Sequence, residues 1–320
     1  MITFRALNEI RSLLPNPVVT IGNFDGVHLG HREIFRRVKQ LARECGGVSV
    51  VITFEPHPLK VITTSRQLQL INTCAEKELL IAASGIDYLL IIPFDAQFAA
   101  MSASDFVNRV LVKTIGVKEL VIGYDYAFGR QREGDVVVLK QLGKELGFSV
   151  EVLPPLGNAD IVYSSTAIRD LIRAGKVAEV VRFLGRQYSI GGTVVHGDHR
   201  GGSLGFPTAN VATDKELLPG DGVYAVKVKI ADTLYDGACS IGNKPTFGGT
   251  TTAIEVFIFD FTGDLYGREL RIYFVARIRD EQRFADAAAL QAAIADDVVR
   301  CRELLSKATL CEYREYLEGT

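Results

Sequence analysis

Pro17-Val-Val-Thr-Ile-Gly-Asn-Phe-Asp-Gly-Val-His-Leu-Gly-His31 decides how the first half of this chain is read. Val18 to Ile21 form an apolar run of strand length. Gly22 to Gly26 make a tight Gly/Asn/Asp turn, and a helix begins near Gly30. His28 and His31 stand at that helix start. The first backbone N–H groups of a helix lack partners and its dipole is positive there, so the place suits a phosphate. Two imidazoles add donors that can follow charge as it develops on phosphorus. Gly22, Gly26 and Gly30 let the backbone turn sharply and approach a ligand closely. The same letters also fit a glycine-rich strand-to-helix turn with two incidental histidines.

Outward from this stretch the first half alternates. Strand-like runs at 18–21, 48–54, 88–93, 119–123 and 149–154 are separated by helix-like segments at 30–45, 73–84, 103–116 and 134–147. Such alternation predicts a parallel sheet with helices on both faces. Ligands bind beyond the carboxyl ends of such strands, and that is where the unusual residues fall: Gly22 to Gly26, Glu55-Pro-His-Pro58, Phe94-Asp95 and Tyr124-Asp-Tyr-Ala-Phe-Gly-Arg130. Farther on, Ser164, Ser165 and Thr166 are good N-cap candidates for another helix. They fit either a plain capped helix or a second phosphate-facing helix tip with Arg169 one turn in.

After Phe183-Leu-Gly-Arg-Gln-Tyr-Ser-Ile190, read as the passage between domains, the pattern changes. Short alternating strands at 192–195, 222–230, 233–240, 253–259 and 269–276 follow without intervening helices, predicting an antiparallel sheet or closed barrel. A final helix over 284–305 has apolar residues at helical spacing and packs on the barrel. The glycines of Gly197-Asp-His-Arg-Gly-Gly-Ser-Leu-Gly205 permit turns that cradle anions. Thr208 and Asn210 offer oxygens to a hard cation, or serve turn chemistry after Pro207. Glu255, among apolar strand residues, is either a general base or a solvent-facing strand residue.

Composition narrows the function classes. The chain has 320 residues, 48% hydrophobic and 23% charged, with a formal net charge of -2. That suggests two domains and leaves no electrostatic footprint for sequence-independent nucleic-acid binding. The first residues lack the layout of a signal peptide, and the apolar runs are too short to span a bilayer. The five cysteines form no C-x-x-C pair, which disfavours a zinc site or redox dithiol, and free thiols fit a reducing cytoplasm. All five histidines (His28, His31, His57, His196, His199) lie in glycine- or proline-bearing stretches that follow or interrupt strands.

Several motifs carry a family resemblance. Gly22-Asn-Phe-Asp-Gly-Val-His-Leu-Gly-His31 resembles the G-x-F-D-G-x-H-x-G-H signature of bacterial FAD synthetases, a branch of the nucleotidylyltransferase superfamily. Ser164-Ser-Thr-Ala-Ile-Arg169 resembles the second signature of those enzymes. Gly205-Phe-Pro-Thr-Ala-Asn210, Pro219-Gly-Asp-Gly-Val-Tyr224, Ile241-Gly-Asn-Lys-Pro-Thr-Phe247, and Glu255 with the following Asp260-Phe and Asp264-Leu-Tyr-Gly267 resemble riboflavin kinase. No G-x-x-x-x-G-K-[ST] loop exists, so phosphoryl transfer needs another cradle. From about residue 15 to residue 305 the chain is similar to bifunctional bacterial riboflavin kinase/FAD synthetases.

The resemblance implies a Rossmann-like α/β nucleotidylyltransferase domain with a parallel sheet over residues 1–184. Over 185–320 it implies a six-stranded antiparallel riboflavin-kinase barrel with a terminal helix. Two reactions follow: ATP and riboflavin give FMN, then ATP and FMN give FAD and pyrophosphate, both with Mg2+. Flavins are thus substrate and product, and the partners are ATP, riboflavin and FMN, with no nucleic acid or membrane. By position, His28 and His31 would stabilise the adenylyl transition state. Ser164, Ser165 and Arg169 would hold pyrophosphate, and Asn23, Phe24, Asp25 and Gly26 would shape the nucleotide pocket. Asp125 lies where some family members carry Asn; beside phosphates it would have to meet magnesium or a ribose hydroxyl. Gly205 and Pro207 would border the kinase nucleotide, Thr208 and Asn210 would bind magnesium, and Glu255 would be the base. Near Ser203, where relatives often carry a basic residue, this chain departs from the pattern. Competing readings are one retained activity beside a regulatory module, and an oligonucleotide-binding barrel. Against the latter, Phe257, Phe259 and Phe261 alternate with the pleat as core residues do.

Overall fold

The computed structural model describes residues 1–63, 68–158, 161–197, 205–246 and 249–311. By its internal contacts the chain divides into two compact units, Met1–Ser165 and Thr166–Glu312.

The first unit holds six parallel strands: β1 (Ile2–Phe4), β2 (Pro17–Ile21), β3 (Val48–Glu55), β4 (Tyr88–Pro93), β5 (Glu119–Gly123) and β6 (Ser149–Leu153). Their order is β1-β4-β3-β2-β5-β6. Helices α1 (Leu29–Glu44), α2 (Pro58–Ile62), α3 (Cys74–Ala83), α4 (Ala96–Ala99), α5 (Ala103–Phe106) and α6 (Val136–Leu146) connect them. The sheet is covered on both faces. Val19, Ile21, Val50, Ile52, Leu90, Ile92, Leu120 and Ile122 pack with Phe106, Val107 and Leu111. Val18 and Val121 point the other way, to Val38, Leu41 and Ala42 of α1. Strands buried on both faces read as continuous apolar runs, which is why five of them are legible in the sequence.

Two differences from the sequence expectation bear on this sheet. β1 is an added strand: its three residues carry too little pattern to read, and pairing with Tyr88, Leu89 and Leu90 makes it a strand. The expected helix over 103–116 is α5 followed by a π-helical stretch, Val107–Ile115, still turning Val107, Val110, Leu111 and Ile115 inward. The chain runs from β2 outward through β3 to β4, then returns to β5 on the other side of β2. The topological switch point therefore lies between β2 and β5, with the Gly22–Gly26 turn and the Tyr124–Arg130 loop at its carboxyl edge. A short ladder, β7 (Gly157–Asn158) with β8 (Ile161–Val162), precedes α7 (Ser165–Arg173).

In the second unit α7 leads into α8 (Val177–Leu184), and α8 packs on the barrel strand β14. The contacts thus group these helices with the barrel, whereas the expected boundary at 184/185 follows the change of pattern. The barrel comprises β9 (Ser189–Val195), β10 (Thr208–Ala212), β11 (Gly222–Ile230), β12 (Thr233–Thr246), β13 (Gly249–Ile258) and β14 (Glu269–Arg279). It closes in the order β10-β13-β12-β11-β14-β9, with every neighbour antiparallel. Closure leaves no unpaired edge. Tyr224, Val226, Val228, Cys239, Val256, Ile272 and Phe274 are fully buried. On the other face Val223, Ala225, Phe259 and Ile278 pack on Cys301 and Leu305 of α9 (Ala287–Leu305). Arg279 grips Asp297 of α9 with contacts of 2.8 and 3.0 Å, and Arg302 reaches Asp260 at 2.8 Å. Thr208 to Ala212 form a full strand between β9 and β13, not the turn that Pro207 alone allowed.

Candidate active sites

The first site starts with a strained turn. After β2 the backbone passes through positive φ at Phe24 (49°), Gly26 (87°) and Val27 (40°). Two of these are not glycine, and such conformations persist only where the surroundings over-determine them. The ties are visible. The Asp25 carboxylate accepts from the backbone N–H of Ile71 at 2.9 Å and of Asn72 at 3.3 Å. The Asp25 carbonyl accepts from the Ser165 hydroxyl at 2.8 Å. The Asn23 carbonyl accepts from the Thr53 hydroxyl at 3.2 Å. A side chain at Gly26 would also press on Ile71, its Cβ lying 3.0 Å from Cδ1.

The turn delivers His28 to the N-cap of α1, where its Nδ1 accepts from the His31 backbone N–H at 3.4 Å. The two imidazoles stack, with centroids 3.6 Å apart and planes 20° from parallel. Phe24, 3% exposed, stands edge-on to His31 at 5.2 Å and tilts against Phe35 at 4.9 Å. It is the prop behind the histidines, while Asn23 is the exposed member of the turn. Burial first, and then the neighbouring His28, hold His31 well below the usual imidazole range, so it is neutral at pH 7. Its buried Nδ1 finds no hydrogen-bond partner among the described residues.

Tyr163 lies beside the same helix start: a Cβ on Gly30 would sit 3.3 Å from Tyr163 Cβ. Ser164 is half-buried and Ser165 opens α7, so the head of the second signature meets the first motif. Arg169 is buried one turn into α7, among residues that group with the second unit. Asp125 is exposed in the loop after β5, at the switch point. His57, singled out by its place after a strand, caps α2 by accepting from the Leu59 N–H at 3.2 Å.

The second site lies on the barrel. Asn210 is the register partner of Glu255, and Thr208 that of Phe257, across β10 and β13. Directly opposed residues of an antiparallel pair share a face, and Thr208 shares it with Asn210 by the two-residue period. Ile254, Val256 and Ile258 take the buried face, leaving Glu255 half-buried on the other. Ser240 opposes Glu255 from β12. Gly205, at φ 83°, and Pro207 are exposed just before β10. Gly197 approaches the Asn210 amide so closely that a Cβ there would fall 2.1 Å from Nδ2. Residues 198–204, with His199 and Ser203, lie outside the described residues.

Thr53 and the N–H groups of Ile71 and Asn72 escaped the sequence reading. A threonine in an apolar strand carries no signal of its own, and backbone donors carry none at all.

Comparison with known proteins adds the family. Residues 11–167 match the family model described as FAD synthetase, and residues 184–305 match that of riboflavin kinase. The bifunctional riboflavin kinase/FMN adenylyltransferase of Escherichia coli strain K12 is 39% identical over 287 residues, covering 89% of this chain and 92% of that protein. Its namesake from Pseudomonas fluorescens is 38% identical over 304 residues, covering 94% and 96%. A crystal structure described as a macrolide-efflux protein from Streptococcus pneumoniae superposes with a TM-score of 0.86 at 34% identity, covering 94% of this chain and 98% of that one. No helix among the described residues of the present chain is long and apolar enough to cross a membrane. With one family model on each half and relatives alike along nearly the whole length, this chain belongs to the bifunctional riboflavin kinase/FMN adenylyltransferases, which convert riboflavin to FMN and FMN to FAD.

Proposed function

We propose that His28 and His31 serve adenylyl transfer, and that Glu255, Thr208 and Asn210 serve riboflavin phosphorylation. The functional division then falls at 184/185, where the riboflavin kinase model begins, giving 1–184 to the adenylyltransferase and 185–320 to the kinase. The observation that carries the assignment is the His31 imidazole: neutral, stacked and half-buried at a helix start, with a buried Nδ1 unsatisfied among the described residues.

The phosphate of FMN is ionised already, so attack on the α-phosphorus of ATP needs no base. What remains is placement and neutralisation of charge. The Leu29 and Gly30 N–H groups at the start of α1 receive phosphate oxygens, and the imidazoles donate toward the charge that grows on the α-phosphate. Asn23 and Gly26 border the nucleotide. Ser164 holds the departing pyrophosphate, with Ser165 fixing the turn through the Asp25 carbonyl. Asp125, beyond β5, faces the ribose or a cation.

Riboflavin's 5′-hydroxyl is protonated, so the kinase step gains from a base. Glu255 takes that proton as the oxygen bonds to the γ-phosphorus and ADP leaves. Thr208 and Asn210 present oxygen donors on the face that carries Glu255, which suits magnesium. No group of three or more His, Cys, Asp or Glu side chains among the described residues could hold an ion, so the donor set suits a cation that arrives with phosphates. Bound there, magnesium supplies neutralisation of the phosphate oxygens. Gly205 and Pro207 aim the start of β10 at the nucleotide. The setting is the cytoplasm, where ATP and free thiols coexist.

The test is to incubate purified protein with ATP, magnesium and riboflavin and to separate the flavins by chromatography. FMN should appear first and FAD second, and a chelator should stop both. His31→Ala that still makes FAD, or Glu255→Ala that still makes FMN, would refute the residue assignment.

A further inference from the structure

Lys77 lies in α3 and is 8% exposed. Its ammonium reaches the carboxyl end of β3: Nζ is 3.2 Å from Thr53 Oγ1, 3.4 Å from the Phe54 carbonyl oxygen and 3.9 Å from Glu55 Oε2. Thr53 is fully buried, and its hydroxyl is 3.2 Å from the Asn23 carbonyl oxygen. An ammonium has donors and no acceptor, whereas a hydroxyl has one proton to give. Thr53 must therefore accept from Lys77, and its own proton is committed to Asn23. Burial lowers the proton affinity of Lys77, and the carboxylates of Glu55 and Asp25 partly restore it. A buried cation beneath a strand end is costly, and this one is spent on a relay into the turn that presents His28 and His31.

Asn23 is where that turn leaves the sheet. From the next residue onward the backbone enters positive φ at Phe24, Gly26 and Val27. The Asp25 and Ser165 contacts hold the middle of the turn, and the Thr53 hydroxyl holds its entrance. We propose that Lys77 is a positioning residue for adenylyl transfer, acting through Thr53 on the Asn23 carbonyl and so on the two histidines. This rests on the reading of His28 and His31 as the adenylyl-transfer site.

The test measures kcat and KM for FMN adenylylation, with riboflavin phosphorylation by the same chain as a control for folding. Thr53→Val keeps the volume and removes the relay, Thr53→Ser restores the hydroxyl, and Lys77→Met removes the cation. Thr53→Val and Lys77→Met should each lower kcat/KM for adenylylation by about tenfold, the worth of one charge-assisted hydrogen bond. The loss should fall on kcat, since the relay aims groups and does not touch FMN. Thr53→Ser should stay within about twofold of the parent. The double variant should be no worse than the poorer single one, because both act through one carbonyl. The proposal is overturned if Lys77→Met or Thr53→Val adenylylates like the parent, if Thr53→Ser is as poor as Thr53→Val, or if the two losses multiply. His31→Ala separates the levels. If it loses FAD formation while Thr53→Val does not, the relay alone fails; if it keeps FAD formation, the site and the relay fail together. Should Lys77→Met lose the kinase control as well, the two Thr53 variants decide.

Discussion

Asn210 and Glu255 face each other as register partners across the β10–β13 ladder. Nothing local compels that meeting, because a shift of one residue in either strand would send one of them to the opposite face. The register is held by the alternate residues: Val211, Ile254, Val256 and Ile258 are all buried, and a slip would expose them. The apolar side of these strands thereby places a carboxylate beside an amide on the polar side.

Glu255→Ala should lower FMN formation by about a hundredfold or more, the usual worth of a general base. FAD formation from supplied FMN should stay unchanged. Separate assays on one purified variant check this, and equal loss of both activities in a folded variant would count against it.

Gly197→Ala should harm the kinase alone. The new Cβ would fall 2.1 Å from Asn210 Nδ2, so the amide must move away from its place opposite Glu255. Displacement of that size costs on the order of a hundredfold in rate. Riboflavin phosphorylation should drop accordingly, with FMN adenylylation as the internal reference.

His31→Ala should lower FAD formation by about a hundredfold to a thousandfold, as expected for removing one donor to developing charge, and leave FMN formation intact. His31 should also mark the pH dependence of stability. Its folded-state pKa is depressed well below the ordinary 6.5, so below that value the unfolded chain binds the extra proton. The stabilisation is fully present above pH 6.5 and is lost as pH falls. Denaturant midpoints at pH 7 and pH 5 should therefore differ more for the parent than for His31→Gln. Equal differences would exclude His31 as a source of the slope.

Asp297→Ala should loosen α9. Asp297 is 5% exposed and takes three contacts of 2.8 to 3.1 Å from Arg279. Removing Asp297 takes the carboxylate from the half-buried Arg279 guanidinium, which keeps the Asp280 carbonyl and the Phe284 ring, at a cost of about 2 kcal/mol. Thermal unfolding followed in the second unit should show the shift, and Asp297→Asn, which keeps an acceptor, should show less.

Wherever a period or a local turn carries the information, the sequence was sufficient by itself. Val18–Ile21 and the later apolar runs announce a sheet buried on both faces. The alternation after residue 190 announces the antiparallel barrel, and the Gly22–His31 stretch announces a phosphate-suited helix start. Tertiary structure decided the rest. It made a strand of Ile2–Phe4 by laying it against β4, and a strand of Thr208–Ala212 by closing the barrel. It turned Phe24 into a prop for His31, tied Asp25 to Ile71 and Asn72, and led the Lys77 ammonium through Thr53 to Asn23. Except for Phe24 and His31, which share one motif, each of these is a contact between residues far apart in the chain. The partner's identity is set by register and by the packing of whole layers, and a local pattern of hydrophobic and polar letters holds no record of it.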